Sequence, residues 1–153
     1  AAAARNAPSP ASVRDMMGLF MVHDSTSSSA WTSHPSLVHE IQDRRLEFPF
    51  EDSTAIYYWE HDRRVQVQPG NVLPIAHVRP GGDMLTIVFN NSDAPAGAQL
   101  DLDLKALGFP PDAEVSVVDF YNGRSLGTTT GRFTVDVAPR DFRMIRLSAG
   151  KTR

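Results

Sequence analysis

Residues 114–147, EVSVVDFYNGRSLGTTTGRFTVDVAPRDFRMIRL, contain three short runs of alternating apolar and polar residues with turns between them. The first run, Val115–Phe120, leads into Asn122-Gly123, a pair suited to a tight reversal because both residues tolerate positive φ. The other two runs are Phe133–Val137 and Phe142–Leu147. Alternation with a period of two is typical of a half-buried antiparallel sheet. The C-terminal part is therefore predicted to be β, with one face of its sheet in water.

Further strands are predicted upstream of this stretch. Val72–Arg79 and Asp83–Asn90 flank Pro80-Gly81-Gly82, a hairpin turn in which proline presets φ and glycine takes positive φ. Leucines at 100, 102 and 104 alternate with charged residues, as in an amphipathic strand. About seven strands in this half of the chain have the spacing of a β-sandwich. We therefore predict a mainly β fold, an antiparallel sandwich of Greek-key type over residues 61–153.

The first sixty residues follow a different pattern. Val13–His23 is almost continuously apolar in its second half, which favours a strand buried on both faces, although a buried helix remains the alternative. Pro35–Leu46 has apolar residues at helical spacing, with Ser33 or Ser36 as the N-cap, and predicts one helix. Ala55–Trp59 is an aromatic-rich strand candidate.

Three segments follow from these patterns. Residues 1–12 form a tail or linker, because they are rich in alanine and proline and lack the basic and apolar regions of a signal peptide. Residues 13–60 form a short α/β segment, and residues 61–153 form the C-terminal β-sandwich domain.

Composition excludes several classes of protein. The chain has 153 residues, a net charge of −3 and no cysteine, so disulfides and thiolate metal sites are excluded and a stable core needs no cross-links. Its arginines form no basic stripe, and nucleic acid is not expected as a partner. The longest apolar run, Met16–Val22, is too short for a membrane span. The preference for arginine over lysine indicates a GC-rich genome, in keeping with a bacterial source.

Three motifs resemble the small all-β domain that closes many multidomain glycoside hydrolases behind a (β/α)8 barrel. They are Leu85–Ser92, where a strand runs into an Asn-rich loop, Val118–Gly123, an Asp-aromatic-x-Asn-Gly turn, and Phe133–Leu147, which ends in an apolar-Arg-Leu strand. Gly18–Asp24 also looks like a late barrel strand of an uncharacterised group similar to the β-N-acetylgalactosaminidase type. The resemblance covers nearly the whole chain.

The resemblance implies a C-terminal, non-catalytic portion of a carbohydrate-active enzyme. The paired carboxylates of such an enzyme would lie on a barrel outside this sequence, and the first sixty residues would supply the interface to it. A secreted or periplasmic protein is favoured on the same ground. In isolation, the aromatics of Phe48–Trp59 would form an exposed patch that draws partners or promotes self-association. A self-contained module that binds glycan or assembles with itself is the alternative.

Four residues are candidates for substrate binding. His23 and Asp24 follow an apolar run, and barrel enzymes place their sites at the C-terminal ends of strands. Trp31 and Trp59, with Tyr57 and Tyr58 beside Trp59, offer apolar faces to a sugar ring. Core packing is the more frequent role of such aromatics, since consecutive residues of a strand point to opposite faces. A small hydrolase that uses His23 and Asp24 by itself is the weakest hypothesis.

Neither a metal site nor a cofactor is expected. His39-Glu40-x-x-Asp43 is one histidine short of the zinc motif H-E-x-x-H. Asp101 and Asp103 alternate with leucines, so they are predicted to lie on the solvent-facing side of a strand. The D-x-D-x-D-G motif of a calcium-binding loop is not present. Asn90-Asn91-Ser92 fits a glycosylation sequon, a pattern that is frequent by chance. No catalytic residue is assigned to this chain.

Overall fold

The computed structural model describes residues 9–150 and arranges them in three layers. Two α-helices cover one face of a six-stranded sheet, and a three-stranded sheet covers its other face. Residues 1–8 of the expected tail lie outside the described part of the chain, whereas Pro10 already begins a helix. The mainly β sandwich expected from the sequence is confirmed.

The helices are α1, Pro10–Val22, and α2, Pro35–Leu46, and short 3-10 helices span Ser29–Trp31 and Tyr58–Glu60. Residues 9–150 form nine strands: β1 Thr54–Tyr57, β2 Val65–Gln68, β3 Val72–Arg79, β4 Asp83–Asn90, β5 Ala96–Leu102, β6 Val115–Asp119, β7 Arg124–Thr129, β8 Arg132–Val137 and β9 Phe142–Ala149. Their order is β1-β3-β4-β9-β6-β7 in one sheet and β2-β5-β8 in the other, with antiparallel pairing throughout.

The predicted strands differ from the observed ones mainly at their ends. The β3–β4 hairpin has its expected bounds, with Val72 opposite Asn90 and Arg79 opposite Asp83. The alternating leucines leave the sheet before Leu104, because β5 ends at Leu102. Gly127 lies within β7, which continues past that residue after a register shift in its pairing with β6.

The six-stranded sheet contributes to two hydrophobic cores. Between the two sheets, side chains such as Met84, Val88 and Leu100 are buried. Between the sheet and the helices, Ile87 and Phe89 pack with apolar side chains of α1 and α2. The central strand β4 is therefore buried on both faces, which explains its almost unbroken apolar sequence. The wet face predicted from alternation is clearest in β8 of the three-stranded sheet, where Thr134 and Asp136 are exposed and Val135 and Val137 are buried.

The apolar run after Val13 is a helix, and the strand favoured by the sequence is wrong. Ser9 caps α1, since its Oγ accepts the amide of Ser12, and Pro10 occupies the first turn, where its missing N–H costs nothing. Val13, Met17 and Met21 recur four residues apart and are buried against the sheet. This helical spacing was hidden in a run that is apolar on most sides.

Gly18 lets α1 approach the sheet closely. A methyl group added at this position lies 2.5 Å from Cδ2 of the buried Phe89 ring and 3.3 Å from Cβ of Phe142. We expect Gly18→Ala to lower the free energy of unfolding by about 1 kcal/mol, because overpacking outweighs the helix propensity gained. Urea denaturation checks this, with Gly70→Ala, which meets nothing within 4 Å, as the control. A stabilised Gly18→Ala protein would contradict this close packing.

Helix α2 has the bounds that the sequence predicts. Its N-cap is His34 and makes no side-chain capping bond, so the expected caps Ser33 and Ser36 are wrong. Arg45 occupies the buried face with Val38 and Ile41, while the neighbouring Leu46 remains 68% exposed. The helix therefore buries a guanidinium at a position where an apolar residue is usual, and this residue requires a partner.

The Asp-aromatic-x-Asn-Gly motif closes the turn between β6 and β7. Asp119 Oδ1 accepts the amide of Asn122 at 3.1 Å, and Oδ2 accepts its side-chain amide at 3.0 Å. Oδ2 also accepts from the guanidinium of Arg143 on β9 at 3.0 Å. Gly123 follows with a φ of 67°. One buried carboxylate thus fixes the turn and ties it to the next strand.

We expect Asp119→Ala to lower the free energy of unfolding by about 2 kcal/mol, because the turn loses its acceptor and the Arg143 guanidinium keeps only its bond to Asp136 O. Asp93→Ala is a matched control, since the Arg140–Asp93 pair has the same 3.0 Å separation but the Asp93 side chain is 89% exposed. A surface pair of this kind contributes less than about 1 kcal/mol. Urea denaturation measures both variants. An equal decrease in the free energy of unfolding would contradict the expectation that the buried carboxylate contributes more stability than the exposed one.

Candidate functional site

The carboxyl end of α1 positions two of the residues singled out in the sequence. The amide of Asp24 donates to Met21 O at 3.0 Å, and the amide of Ser25 donates to Phe20 O at 2.8 Å, the two bonds of a Schellman motif. Asp24 takes the left-handed conformation, with a φ of 53°, that glycine usually occupies there. The helix end therefore turns the chain and holds the Asp24 side chain beside α2.

Both ring nitrogens of His23 are engaged within the chain. Nδ1 lies 2.8 Å from Leu19 O, which only accepts hydrogen bonds, so Nδ1 carries a proton. Nε2 lies at hydrogen-bond distance from the Tyr58 hydroxyl, 2.9 Å away. The imidazole also stacks on Trp59 at 5.7 Å between ring centroids, with the planes 21° apart. His23 thus joins the end of α1 to the segment that follows β1.

Three consecutive aromatics gather at this point, although alternation along a strand would separate them. The chain leaves β1 at Tyr57 and enters the 3-10 helix at Tyr58, so Tyr58 also contacts Trp59 instead of pointing to the opposite face. The rings of Tyr57 and Trp59 stack at 4.5 Å with planes 7° apart, and Tyr58 meets Trp59 edge to face at 5.1 Å. One face of Trp59 is therefore covered by Tyr57, while the indole as a whole stays 46% exposed.

Asp24 holds the guanidinium that α2 buries. Arg45 donates from a terminal nitrogen to Asp24 Oδ1 at 2.6 Å, and its guanidinium carbon lies 5.3 Å from the centre of the Phe50 ring. The Tyr57 hydroxyl points to Asp24 Oδ2 at 3.4 Å. Burial first, and then the Asp24 charge, raise the pKa of Tyr57, so its phenol is protonated and acts as the donor. We name His23, Asp24, Arg45, Tyr57, Tyr58 and Trp59 the helix-end cluster.

The structure brings three of the four predicted binding residues together, namely His23, Asp24 and Trp59. Trp31 has other partners: its indole N–H donates to Ser27 Oγ at 2.6 Å, and its ring packs against the core under the helices. Sequence reasoning missed Arg45 as a member of the site. The helical spacing had placed it on the buried face, and a buried arginine signals a nearby carboxylate.

The helix-end cluster has the character of a structural joint. Its imidazole and carboxylate are both hydrogen-bonded to partners from the same chain. In residues 9–150, no three His, Cys, Asp or Glu side chains are grouped in a way that could hold a metal ion. The cluster ties α1, α2 and β1 to one another.

An open cleft of ≈ 330 Å³ borders this cluster, lined by Asp24, Arg45, Leu46, Phe50, Ser53, Ala55 and His77. His77, on β3, is 3% exposed and meets the Phe50 ring edge to face at 4.8 Å. Burial, which disfavours the charged form, lowers the pKa of His77 from 6.5 to about 4; Arg45 acts in the same direction and Asp24 opposes it. The imidazole in this cleft is therefore neutral at pH 7.

The glycosylation sequon is buried. Asn90 has no exposed surface, and its side-chain nitrogen donates to the carbonyls of Ala94, Val137 and Ala138 at 2.8 to 3.2 Å. Its oxygen accepts from Ser92 at 2.7 Å. This amide joins the end of β4 to the loop after β8, which explains the Asn-rich loop and leaves no nitrogen to carry a glycan.

Residues 77–147 match a family model described as "Alpha galactosidase C-terminal beta sandwich domain". No curated protein matches the chain. A structure assigned as an alpha-N-acetylgalactosaminidase from Bacillus halodurans aligns with 89% of this chain and 31% of its own, at 16% identity and a TM-score of 0.57. A GH27 β-L-arabinopyranosidase from Geobacillus stearothermophilus aligns with 92% of this chain and 30% of its own, at 14% identity and a TM-score of 0.57.

These alignments extend beyond the strands. Because β1 begins only at Thr54, a match over 89% of the chain has to include much of the helical layer. The helices and the sandwich therefore form one shared fold in these proteins. The chain spans about a third of the length of each of the two structures.

Proposed function

We propose that the chain is the C-terminal, non-catalytic β-sandwich portion of a glycoside hydrolase and packs on a catalytic barrel, because residues 77–147 match the family model of alpha galactosidase C-terminal β-sandwich domains. The family match is the observation that carries the proposal. The resemblance seen in the sequence to a C-terminal sandwich of this class is confirmed. The enzyme as a whole would act on carbohydrate, and the sandwich would contribute no reacting group.

The helical side of the molecule is the proposed contact surface. In residues 9–150, four large apolar side chains are exposed, and three of them, Met16, Leu46 and Trp59, come before residue 60. Phe48, by contrast, is 1% exposed, so the exposed patch expected over Phe48–Trp59 is smaller than predicted. Apolar groups that a monomer leaves in water mark a place where another surface covers them.

The helix-end cluster gives this surface its rigidity. Its stacked rings hold Trp59 in place, and the Asp24–Arg45 pair fixes the end of α2, where Leu46 projects. Side chains that are already immobilised lose little entropy when a partner covers them. No helix in the described residues has the length and apolar character required to cross a membrane. A secreted or periplasmic bacterial enzyme is the setting that we propose for this domain.

The coding sequence upstream of Ala1 and a two-piece expression experiment test this proposal. A reading frame that continues upstream into a barrel with paired carboxylates is the expected result, and a start codon or secretion signal directly before Ala1 contradicts it. Expressed together as separate pieces, the barrel and this chain should co-purify. Leu46→Asp combined with Trp59→Asp should abolish co-purification, whereas Leu126→Asp, on the distant β7, should not. Co-purification that survives the double variant overturns the proposed surface.

A further inference from the structure

Two residues that line the cleft beside the helix-end cluster, Arg45 and His77, each carry a buried polar atom with no partner among the described residues. In residues 9–150, four buried side-chain nitrogen or oxygen atoms lack a hydrogen bond, and two of them, Arg45 Nε and His77 Nε2, belong to residues that line this cleft. Leaving a buried polar group unpaired costs about 1–3 kcal/mol, and native proteins rarely tolerate it. Two such atoms at one cleft indicate an occupant that pairs with them.

The two atoms define the chemistry of that occupant. Arg45 Nε–H can only donate, while Nε2 of a neutral histidine can accept when Nδ1 carries the proton. A hydroxyl group is able to pair with either kind of atom, because its oxygen accepts and its hydrogen donates. Asp24 and Arg45 form an ion pair at the same cleft, so their charges cancel and neither an anion nor a cation is favoured. The occupant is therefore neutral and carries hydroxyl groups.

The remaining walls suit a small ring. Leu46, Phe50 and Ala55 supply apolar surface, and Ser53 and the Asp24 carboxylate add polar groups at the other side. The volume of ≈ 330 Å³ lies at the lower end of the range of about 300–1,000 Å³ for ligand pockets. Ligand pockets also form preferentially between domains, and this cleft adjoins the surface proposed for the barrel.

We propose that the cleft binds one ring of a neutral carbohydrate, whose hydroxyl groups accept from Arg45 Nε–H and donate to His77 Nε2. Each of the two atoms exposes less than 1 Å², so binding requires a small shift of the guanidinium away from the ring of Phe50. Binding is therefore weak, with a dissociation constant of about 1 mM or above.

Titration of the isotope-labelled chain with D-glucose and D-galactose, followed by amide NMR shifts, tests the proposal. The amides of Ser53 and His77 should shift and saturate in the millimolar range with at least one of the two sugars. His77→Phe, which keeps an aromatic ring but lacks Nε2, should weaken binding at least tenfold while its spectrum stays that of a folded protein. Gln99→Ala is the control and should bind like the parent.

Gln99 tests a rival location. It lies in a second, polar groove of ≈ 440 Å³ on the three-stranded sheet, together with Gln66, Gln68 and Thr134. Shifts that map there and vanish in Gln99→Ala overturn the proposal, as does the absence of saturable shifts. An ordered water bonded to both atoms that neither sugar displaces would also overturn it. None of these results bears on barrel docking, which is read out by co-purification.

Discussion

Phe89→Ala is expected to lower the free energy of unfolding by about 4 kcal/mol, the largest effect of any substitution considered for this protein. Phe89 is completely buried near the end of β4, and its ring lies against Gly18 of α1. The truncated side chain leaves a cavity between the helices and the sheet, and rigid secondary structure on both sides prevents its collapse. Urea denaturation followed by circular dichroism measures the loss.

The same experiment shows whether helices and sandwich unfold together. Both tryptophans of the chain, Trp31 and Trp59, precede residue 60, so tryptophan fluorescence reports on the helical side alone. Because one core joins the two parts, we expect the fluorescence and circular dichroism transitions to coincide in the parent chain and in Phe89→Ala. Leu126→Ala, at a side chain that is 40% exposed, should change stability by less than about 1 kcal/mol. Two separate transitions would contradict a shared core.

Acid should destabilise the protein through His77. Its pKa is about 4 in the folded protein and 6.5 in an unfolded chain. Between pH 4 and pH 6.5, His77 is therefore protonated in the unfolded state and neutral in the folded state. Stability is therefore unaffected by this residue above pH 6.5 and is lost progressively as the pH falls towards 4. The full shift corresponds to about 3 kcal/mol.

A variant without the titrating group isolates this effect from that of the carboxylates. His77→Phe keeps the edge-to-face contact with Phe50 and cannot bind a proton. The difference in unfolding free energy between the two proteins, measured in urea from pH 7 to pH 4, should move by about 3 kcal/mol in favour of the variant. A difference that stays constant over this range would show that His77 titrates normally.

Much of the sandwich can be predicted from the sequence because strand periodicity is a local property. In β6 and β8, side chains alternate between the core and solvent, and the sequence alternates with them. The hairpin at Pro80-Gly81-Gly82 is specified by its turn residues, and α2 by its apolar spacing. These features depend on neighbours in the chain and not on distant contacts.

Features that depend on contacts between residues far apart in the chain were less predictable from the sequence. Helix α1 looked like a strand because its run is apolar on most sides, although the Ser9-Pro10 start was a readable helix signal. The contact between Tyr58 and Trp59 depends on a 3-10 helix, which interrupts the alternation that places consecutive residues on opposite faces. His77 gave no local signal, since its burial comes from α2 and Phe50, far away in the chain.

An activity assay of this chain alone tests the account most directly. Its His23 and Asp24 side chains are hydrogen-bonded to internal partners, and we propose that the domain, whose residues 77–147 match the model of a C-terminal sandwich, is non-catalytic. Incubated with a panel of aryl glycosides, the purified chain should release the phenol no faster than buffer does. Turnover above the blank that disappears in Asp24→Ala would contradict the account, because it would place a catalytic carboxylate in this chain.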